Sequence, residues 1–413
     1  MKIIYEIILN TIFYLSLPFR FFSPKINSFH SGQKNIFKKI NDKSKLNGKS
    51  IWFHVASLGE FEIAKPIVDN LKKEKTDLKI IITFFSPSGY LNSLDYRNAD
   101  LISYLPIDTL KNSKRFIEII NPKIAVFIKN DLWVNYIYSL KLNGSVIISI
   151  SSKFNKSQFY FSFYGKWFLN KIKLIDYFFV QDENSKTILK KNNFNYVEVS
   201  GDYRFTSVIR TLEENKRFKQ IEKFIGDSKC FVAGSIWDND IEIMSNYLSN
   251  ANHKSILATH DISPKKIKNL EILFDRNVIK LSELSSEYDI NKKILIIDSI
   301  GDLKHIYKYA YVAYVGGGFY LNSLHNILEP GVFSCPIIIG KNFKNFSEAS
   351  DLINLGGVFS IKNSNDFADL MKKIYNDTQF RNETGLISYN YIFENQKKNK
   401  KVFESLIQII QSN

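Results

Sequence analysis

The chain has 413 residues, too many for one ordinary hydrophobic core, so two domains are expected. A hydrophobic content of 45% excludes a disordered chain, and with only Cys230 and Cys335 a disulfide framework or cysteine metal cluster is excluded and a reducing compartment fits. A net charge of +15 asks for an anionic partner; the basic residues are scattered among 34 Phe and 22 Tyr, which favours an acidic membrane surface over nucleic acid.

From the N-terminus, Ile3 to Phe22 is mostly apolar but interrupted by Glu6, Asn10, Pro18 and Arg20. Its uncharged part, Ile7 to Phe19, is short for a bilayer span, which needs about 20 residues, and no small-residue cleavage site follows it. The pattern predicts an interfacial or anchoring helix over residues 1–30, with a single span or a buried core helix as the other readings. Ser31 to Ser50 is expected to be a polar linker. Strand, loop and helix then alternate: strands at 50–55, 78–83, 101–105, 124–128, 146–150, 176–180 and 196–200 make a first unit, 31–205. A second unit, 206–413, carries strands at 229–233, 255–259, 278–280, 294–297, 311–315, 336–339 and 357–360. Ser364 is expected to cap one terminal helix, and the last helix can pack back on the first domain. Short β-branched runs buried on both faces point to parallel sheets, hence an α/β fold of two Rossmann-like domains facing a cleft. In such sheets ligands sit at the carboxyl ends of the strands.

Candidate chemistry follows those ends. Ser57-Leu58-Gly59-Glu60 opens the first helix after a strand. Glu60 there could serve as a general base, but Ser-x-x-Glu is also a capping box. His54, inside the strand, is expected to be a satisfied core histidine. Gly234 and Ser235 follow the first strand of the second unit and can offer N–H and hydroxyl groups to a phosphate. Asp238-Asn239-Asp240 formally matches a metal motif, yet at a helix start the aspartates are expected to cap, and no metal is predicted. His260 could meet a phosphate or lie on a surface loop. Lys156 to Lys173 interleaves lysines with aromatics, which suits either an acidic bilayer or a packed helix. Tyr314-Val315-Gly316-Gly317-Gly318 followed by His325-Asn326-Ile327-Leu328-Glu329-Pro330 suits gripping a phosphate and a sugar: glycines admit an anion to the backbone, and Glu329 can accept hydrogen bonds from ribose hydroxyls.

In order along the chain, His54 to Glu60, Gly201 to Phe205, Val232 to Trp237, Tyr314 to Gly318, His325 to Pro330, and Gly340 to Phe346 with Glu348 resemble the 3-deoxy-D-manno-octulosonic acid (Kdo) transferases of lipopolysaccharide biosynthesis. The resemblance implies a GT-B glycosyltransferase that needs no metal or other cofactor, inverts at the anomeric carbon, and works on the cytoplasmic face of the inner membrane. Its donor would be CMP-Kdo and its acceptor a lipid A precursor such as lipid IVA. Glu60 would be the catalytic base, with Ser57, Gly59 and Asp131 on the acceptor side. The donor would be held by Gly234, Ser235, His260, Gly317, Gly318, Asn326 and Glu329. Where many relatives carry Glu-Thr-Glu-Leu-Trp-Pro-Asn, this chain has Lys129-Asn130-Asp131-Leu132-Trp133-Val134-Asn135; where many have Pro-Arg-His, it has Thr259-His260-Asp261. Rival readings are a GT-B transferase using another nucleotide sugar and a non-catalytic basic protein binding membrane or nucleic acid.

Overall fold

The computed structural model describes residues 2–43, 50–284, 292–299, 301–321 and 323–412. They form two compact units, 1–207 with 395–413 and 208–394. The first contains a seven-stranded parallel sheet of β1 (Ser50–Val55), β2 (Lys79–Phe84), β3 (Leu101–Tyr104), β4 (Ile124–Ile128), β5 (Val146–Ser152), β6 (Tyr177–Val180) and β7 (Tyr196–Val199), in the order β3-β2-β1-β4-β5-β6-β7. Side-chain alternation explains why these runs are so uniformly apolar. On β1, Ile51, Phe53 and Val55 enter the hydrophobic cluster on one face, and Trp52 enters the cluster on the other. Val402, Leu406, Ile409 and Ile410 of the C-terminal helix join the cluster of Phe53.

The second sheet is also seven-stranded and parallel: β8 (Phe231–Ile236), β9 (Ser255–Thr259), β10 (Val278–Lys280), β11 (Ile294–Ile296), β12 (Val312–Val315), β13 (Ile337–Ile339) and β14 (Val358–Ser360), in the order β10-β11-β9-β8-β12-β13-β14. The strand order reverses between β1 and β4 in the first sheet and between β8 and β12 in the second, where β11 is also inserted between β9 and β10. At such a reversal the two connections leave in opposite directions and open a crevice beyond the carboxyl ends.

Two local expectations change. The linker is not a linker: α2 (Pro24–Gln33) and α3 (Ile36–Lys43) occupy most of it, and Ile36 and Ile40, one helical turn apart, are buried in the first core. Residues 44–49 of that stretch lie outside the described residues. Asn363, not Ser364, caps the helix Ser364–Asn376, its side chain accepting the Asp366 N–H. In the segment 156–173, Leu169 and Ile172 pack the helix Lys166–Ile172 into the core with Tyr160, while Phe159, Phe163 and Tyr164 are exposed.

The N-terminal helix α1 (Lys2–Leu15) is not a core helix. Its inward stripe, Tyr5, Glu6, Leu9, Asn10 and Phe13, is half-buried, whereas Ile3, Ile4, Ile7, Ile8, Ile12 and Leu15 face solvent. This is the reverse of a soluble amphipathic helix, whose isoleucines would face the core. The inward stripe is tied down by polar bonds: Tyr5 Oη donates to Asp108 Oδ2 (2.7 Å) and Glu6 Oε1 accepts the Leu110 N–H (3.0 Å). Ser16 Oγ lies 2.8 Å from His30 Nε2.

Candidate functional site

Two crevices carry the candidate residues, one in each unit. In the first, β1 ends at Val55 and runs into α4 (Leu58–Glu74), with Ser57 as the residue before the helix. The capping box is not formed. Ser57 makes no cap bond to the backbone; its hydroxyl donates instead to Glu60 Oε2. On the other oxygen, Lys129 Nζ stands 3.8 Å from Oε1. Lys129 follows β4 with φ +58°, a left-handed conformation held by its N–H on Ile150 O and by Ser152 Oγ donating to Lys129 O. The carboxylate is thus oriented from both sides, by a hydroxyl and an ammonium, at the strand-order reversal. Gly59 is exposed in the first turn of α4, with no atom but Ser57 Oγ (3.8 Å) near the place of a Cβ.

Asp131 belongs to a separate network. Trp52 Nε1 donates to Thr83 Oγ1, which lies 2.9 Å from His54 Nδ1. The Asp131 carboxylate can only accept, so His54 Nε2 donates to its Oδ2 (2.7 Å), which also accepts from Trp133 Nε1 (2.9 Å). Burial alone would raise the Asp131 carboxyl; the bonds from His54 and Trp133 outweigh it and hold it below its usual range. His54 is fully buried with both ring nitrogens engaged, a satisfied core histidine that orients Asp131.

In the second unit the glycine run is shaped first by packing. Gly316 donates its N–H to Gly234 O, and a Cβ on it would strike the Ser235 backbone. Gly317 has φ +87° and donates to Asp240 Oδ2 (3.0 Å). A Cβ on Gly318 would lie 2.6 Å from Gly340 N. So two of the three N–H groups are already spent inside the fold, and Gly318's is the one left for a ligand among the described residues. Gly234 is likewise a packing glycine, since a Cβ would meet the Tyr307 hydroxyl. Ser235 adopts φ +54° where the β8–β9 register slips.

Asp240 holds this loop, a role the sequence pattern only half suggested. It is fully buried and accepts from Trp237 N (2.8 Å), Gly317 N and Tyr314 Oη (2.6 Å). Burial pushes its carboxyl above the usual range despite these three donors. Asp238 instead pairs with Lys266. Among the described residues no group of three His, Cys, Asp or Glu could hold a metal.

His260 stacks on Trp237 with ring centroids 4.5 Å apart and planes 9° from parallel. Trp237 Nε1 donates to His325 Nε2 (3.1 Å), which leaves the proton of a neutral His325 on Nδ1. Burial, helped by the charge of His260, pushes His325 down to about 4. Beside this stack lies a cavity of about 290 Å³ lined by Trp237, Thr259, His260, Lys266 and Tyr320. Asp238 and Asp261 also line it and Lys266 is paired with Asp238, so its aromatic faces rather than its charge are what it offers a ligand. Asn326 Nδ2 donates to Glu329 Oε1 (3.2 Å), fixing that carboxylate in the first turn of a four-residue helix, Leu328–Gly331. Glu329 thus stands on a helix of only four residues; Asn322 lies outside the described residues. The Trp237–His325 bond and the Lys129–Glu60 pair were not foreseen, although the departure at Lys129 pointed to the second.

Two Rossmann-like units, each with its polar residues at the crevice of a parallel sheet, define the GT-B class of glycosyltransferase fold. Solved structures agree. The chain is similar to the UDP-GlcNAc 2-epimerase of Neisseria meningitidis (TM-score 0.61, 12% identity, 88% of this chain and 100% of that one) and to MurG of Acinetobacter baumannii (TM-score 0.54, 10% identity, 87% and 99%). At these identities the likeness is one of fold. Residues 31–207 match the family model described as 3-deoxy-D-manno-octulosonic-acid transferase. Curated relatives include the 3-deoxy-D-manno-octulosonic acid transferases of Haemophilus influenzae (24% identity, 88% of each chain) and Aquifex aeolicus (26%, 83% of this chain and 91% of that one). A bifunctional glycosyltransferase/methyltransferase of Fusobacterium nucleatum is 26% identical over 83% of this chain, which spans only 56% of that relative's length. The chain is thus similar to the Kdo transferase family, through the family model over residues 31–207 and through curated members 24–26% identical over most of its length.

Proposed function

We propose that this protein transfers Kdo from CMP-Kdo to a hydroxyl of a lipid A precursor, by direct displacement with inversion. Glu60 accepts the proton of the acceptor hydroxyl as that oxygen bonds to the anomeric carbon, and the bond from that carbon to the CMP phosphate oxygen breaks. The observation that carries this reading is the Glu60 carboxylate itself: held by Ser57 and flanked by Lys129 at the crevice of the first sheet, it is fixed in position yet only partly buried. Such an orientation is what a general base needs. Asp131, oriented by His54 and Trp133, and the exposed backbone at Gly59 serve the acceptor.

The donor belongs to the second unit. Gly318 N–H and Ser235 take the phosphate, Glu329 takes the ribose hydroxyls, and Asn326 fixes Glu329 for that role. Gly234 and Gly317 serve by shape: a Cβ on Gly234 would strike the Tyr307 hydroxyl, and one on Gly317, whose φ is +87°, would strike Ser323 O. His260, stacked on Trp237, stands where many relatives carry an arginine and supplies a hydrogen bond to the departing anion. Lipid association follows from α1, whose outward isoleucines and inward polar ties suit a helix lying in the membrane interface. The acceptor would then meet the enzyme at the inner membrane, on the cytoplasmic face, where a nucleotide donor is available.

Mass spectrometry of the product from CMP-Kdo and a tetraacylated lipid A precursor tests this, with a UDP-sugar as the competing donor. A mass increase of one or more Kdo residues from CMP-Kdo alone is expected. Transfer from the UDP-sugar, with none from CMP-Kdo, overturns the donor assignment.

A further inference from the structure

The outward apolar stripe of α1 explains contact with lipid tails but not the positive charge that surrounds its base. Between α1, α2, α3 and the helix Leu110–Ile120 lies a second cavity, of about 410 Å³, remote in sequence from both crevices. Asn10, Phe13 and Tyr14 of α1 form one wall, and Gln33, Lys38 and Arg115 form much of the rest. Lys38 and Arg115 are both exposed and make no ion pair among the described residues. The Arg115 guanidinium is stacked 4.5 Å above the Phe37 ring, which orders it while leaving its N–H edge free. Lys39 and Lys111 stand on the same two helices as Lys38 and Arg115, which also carry Asp42 and Glu118. The one carboxylate of α1, Glu6, is spent on the Leu110 N–H.

The depth of the cavity relative to α1 decides what it suits. A helix lying in the interface places its outward side chains among acyl chains and its flanks at the level of the phosphates. The cavity is on such a flank: Tyr14 lines it and is itself largely exposed, next to Leu15. A guanidinium and an ammonium there are matched to a phosphodiester, the guanidinium by two parallel N–H···O bonds.

We propose that this cavity is a headgroup site for an anionic phospholipid, which pins α1 in the plane of the bilayer. The proposal rests on the interfacial reading of α1 given above. The bound phosphate sits on Lys38 and Arg115, its acyl chains run along the outward isoleucines, and Asn10 lies within the wall as a neutral hydrogen-bonding group. The site is separate from the acceptor's reacting hydroxyl, which belongs to Glu60.

Flotation of the full chain with vesicles of phosphatidylcholine, alone or mixed with phosphatidylglycerol, tests it. The parent should bind the mixed vesicles more tightly. The double variant Lys38→Gln/Arg115→Gln should lose about fivefold per cation on the mixed vesicles and little on phosphatidylcholine alone. The control Lys268→Gln/Lys372→Gln, with equal charge removed from the second unit, should bind as the parent does. If the control loses as much, binding is a matter of net charge and the site is refuted; if Lys38→Gln/Arg115→Gln binds mixed vesicles as the parent does, it is refuted outright. Thermal stabilisation by inorganic phosphate, abolished in the double variant while vesicle binding stays intact, would assign the cavity to free phosphate and also overturn the proposal. The variant Ile7→Asp/Ile8→Asp separates the two readings, because it should lose binding to both vesicle types. Retained binding there defeats the interfacial helix, not the headgroup contacts.

Discussion

The two crevices occupy equivalent places in their sheets but are built in opposite ways. The first is made of side chains. Glu60, Lys129 and Asp131 reach into it from rigid strand ends, and each is oriented by a neighbour: Ser57, the Ser152-bound backbone of residue 129, and His54 with Trp133. The second is made of backbone. Gly316, Gly317 and Gly318 let β12 approach β8 and the Gly340 segment, and a single buried carboxylate, Asp240, ties the loop to its helix. A site made of side chains is suited to moving a proton, whose position must be set to a fraction of an ångström. One made of packed backbone is suited to holding a rigid, charged ligand whose shape does not change. The division of labour between base and donor proposed above therefore matches the way each crevice is made.

Substitutions can break this contrast. The largest effect is expected from Glu60→Gln, which keeps the Ser57 contact but cannot accept the proton; turnover should fall by about 10²–10⁴-fold, with the melting temperature unchanged. Next is Gly318→Ala, whose Cβ would press on Gly340 N at 2.6 Å. It should cost roughly 2–3 kcal/mol, seen as a lower denaturation midpoint together with loss of CMP binding. The matching change in the first crevice, Gly59→Ala, meets nothing closer than 3.8 Å and should leave stability within about 0.5 kcal/mol. A pair of equal effects would erase the distinction between the two kinds of site. Asp240→Asn presents an amide N–H₂ to donors that need an acceptor; a loss of roughly 1–2 kcal/mol and weakened CMP binding are expected.

A further effect concerns pH. His325 is held neutral in the fold down to about 4, whereas in the unfolded chain it protonates near its usual 6.5. As pH falls from about 6.5 to about 4, the unfolded chain takes up a proton that the folded one does not, so stability is lost across that window. The melting temperature of the parent should decline there more steeply than that of His325→Gln. Parallel declines would remove His325 from the account.

The strands of both sheets were legible because residues buried on two faces leave continuous apolar runs, such as Ile51 to Val55 and Val312 to Val315. α3 was not, because its few apolar anchors, Ile36, Phe37 and Ile40, stand in a stretch rich in Lys and Asn. At the site, Glu60 was visible by its place after a strand, but spacing alone could not distinguish a cap from an oriented carboxylate. The Ser57 side chain decides that, through a contact that depends on rotamer rather than spacing. The glycines were read as ligand contacts when most of their need is internal: residues 235 and 340, far apart in the chain, determine why 316 and 318 carry no side chain. Asp240 was seen as a cap, and it does accept the Trp237 N–H, but its bond to Gly317 spans 77 positions and has no local signature.

The central claim, that the base and the donor grip lie in different units, is tested most directly by measuring CMP-Kdo affinity and turnover side by side for Glu60→Gln and Glu329→Ala. The account predicts a crossover: Glu60→Gln binds CMP-Kdo as the parent does and forms almost no product, while Glu329→Ala binds it markedly more weakly. Donor affinity lost in Glu60→Gln to the same degree as turnover, or unchanged in Glu329→Ala, would contradict it.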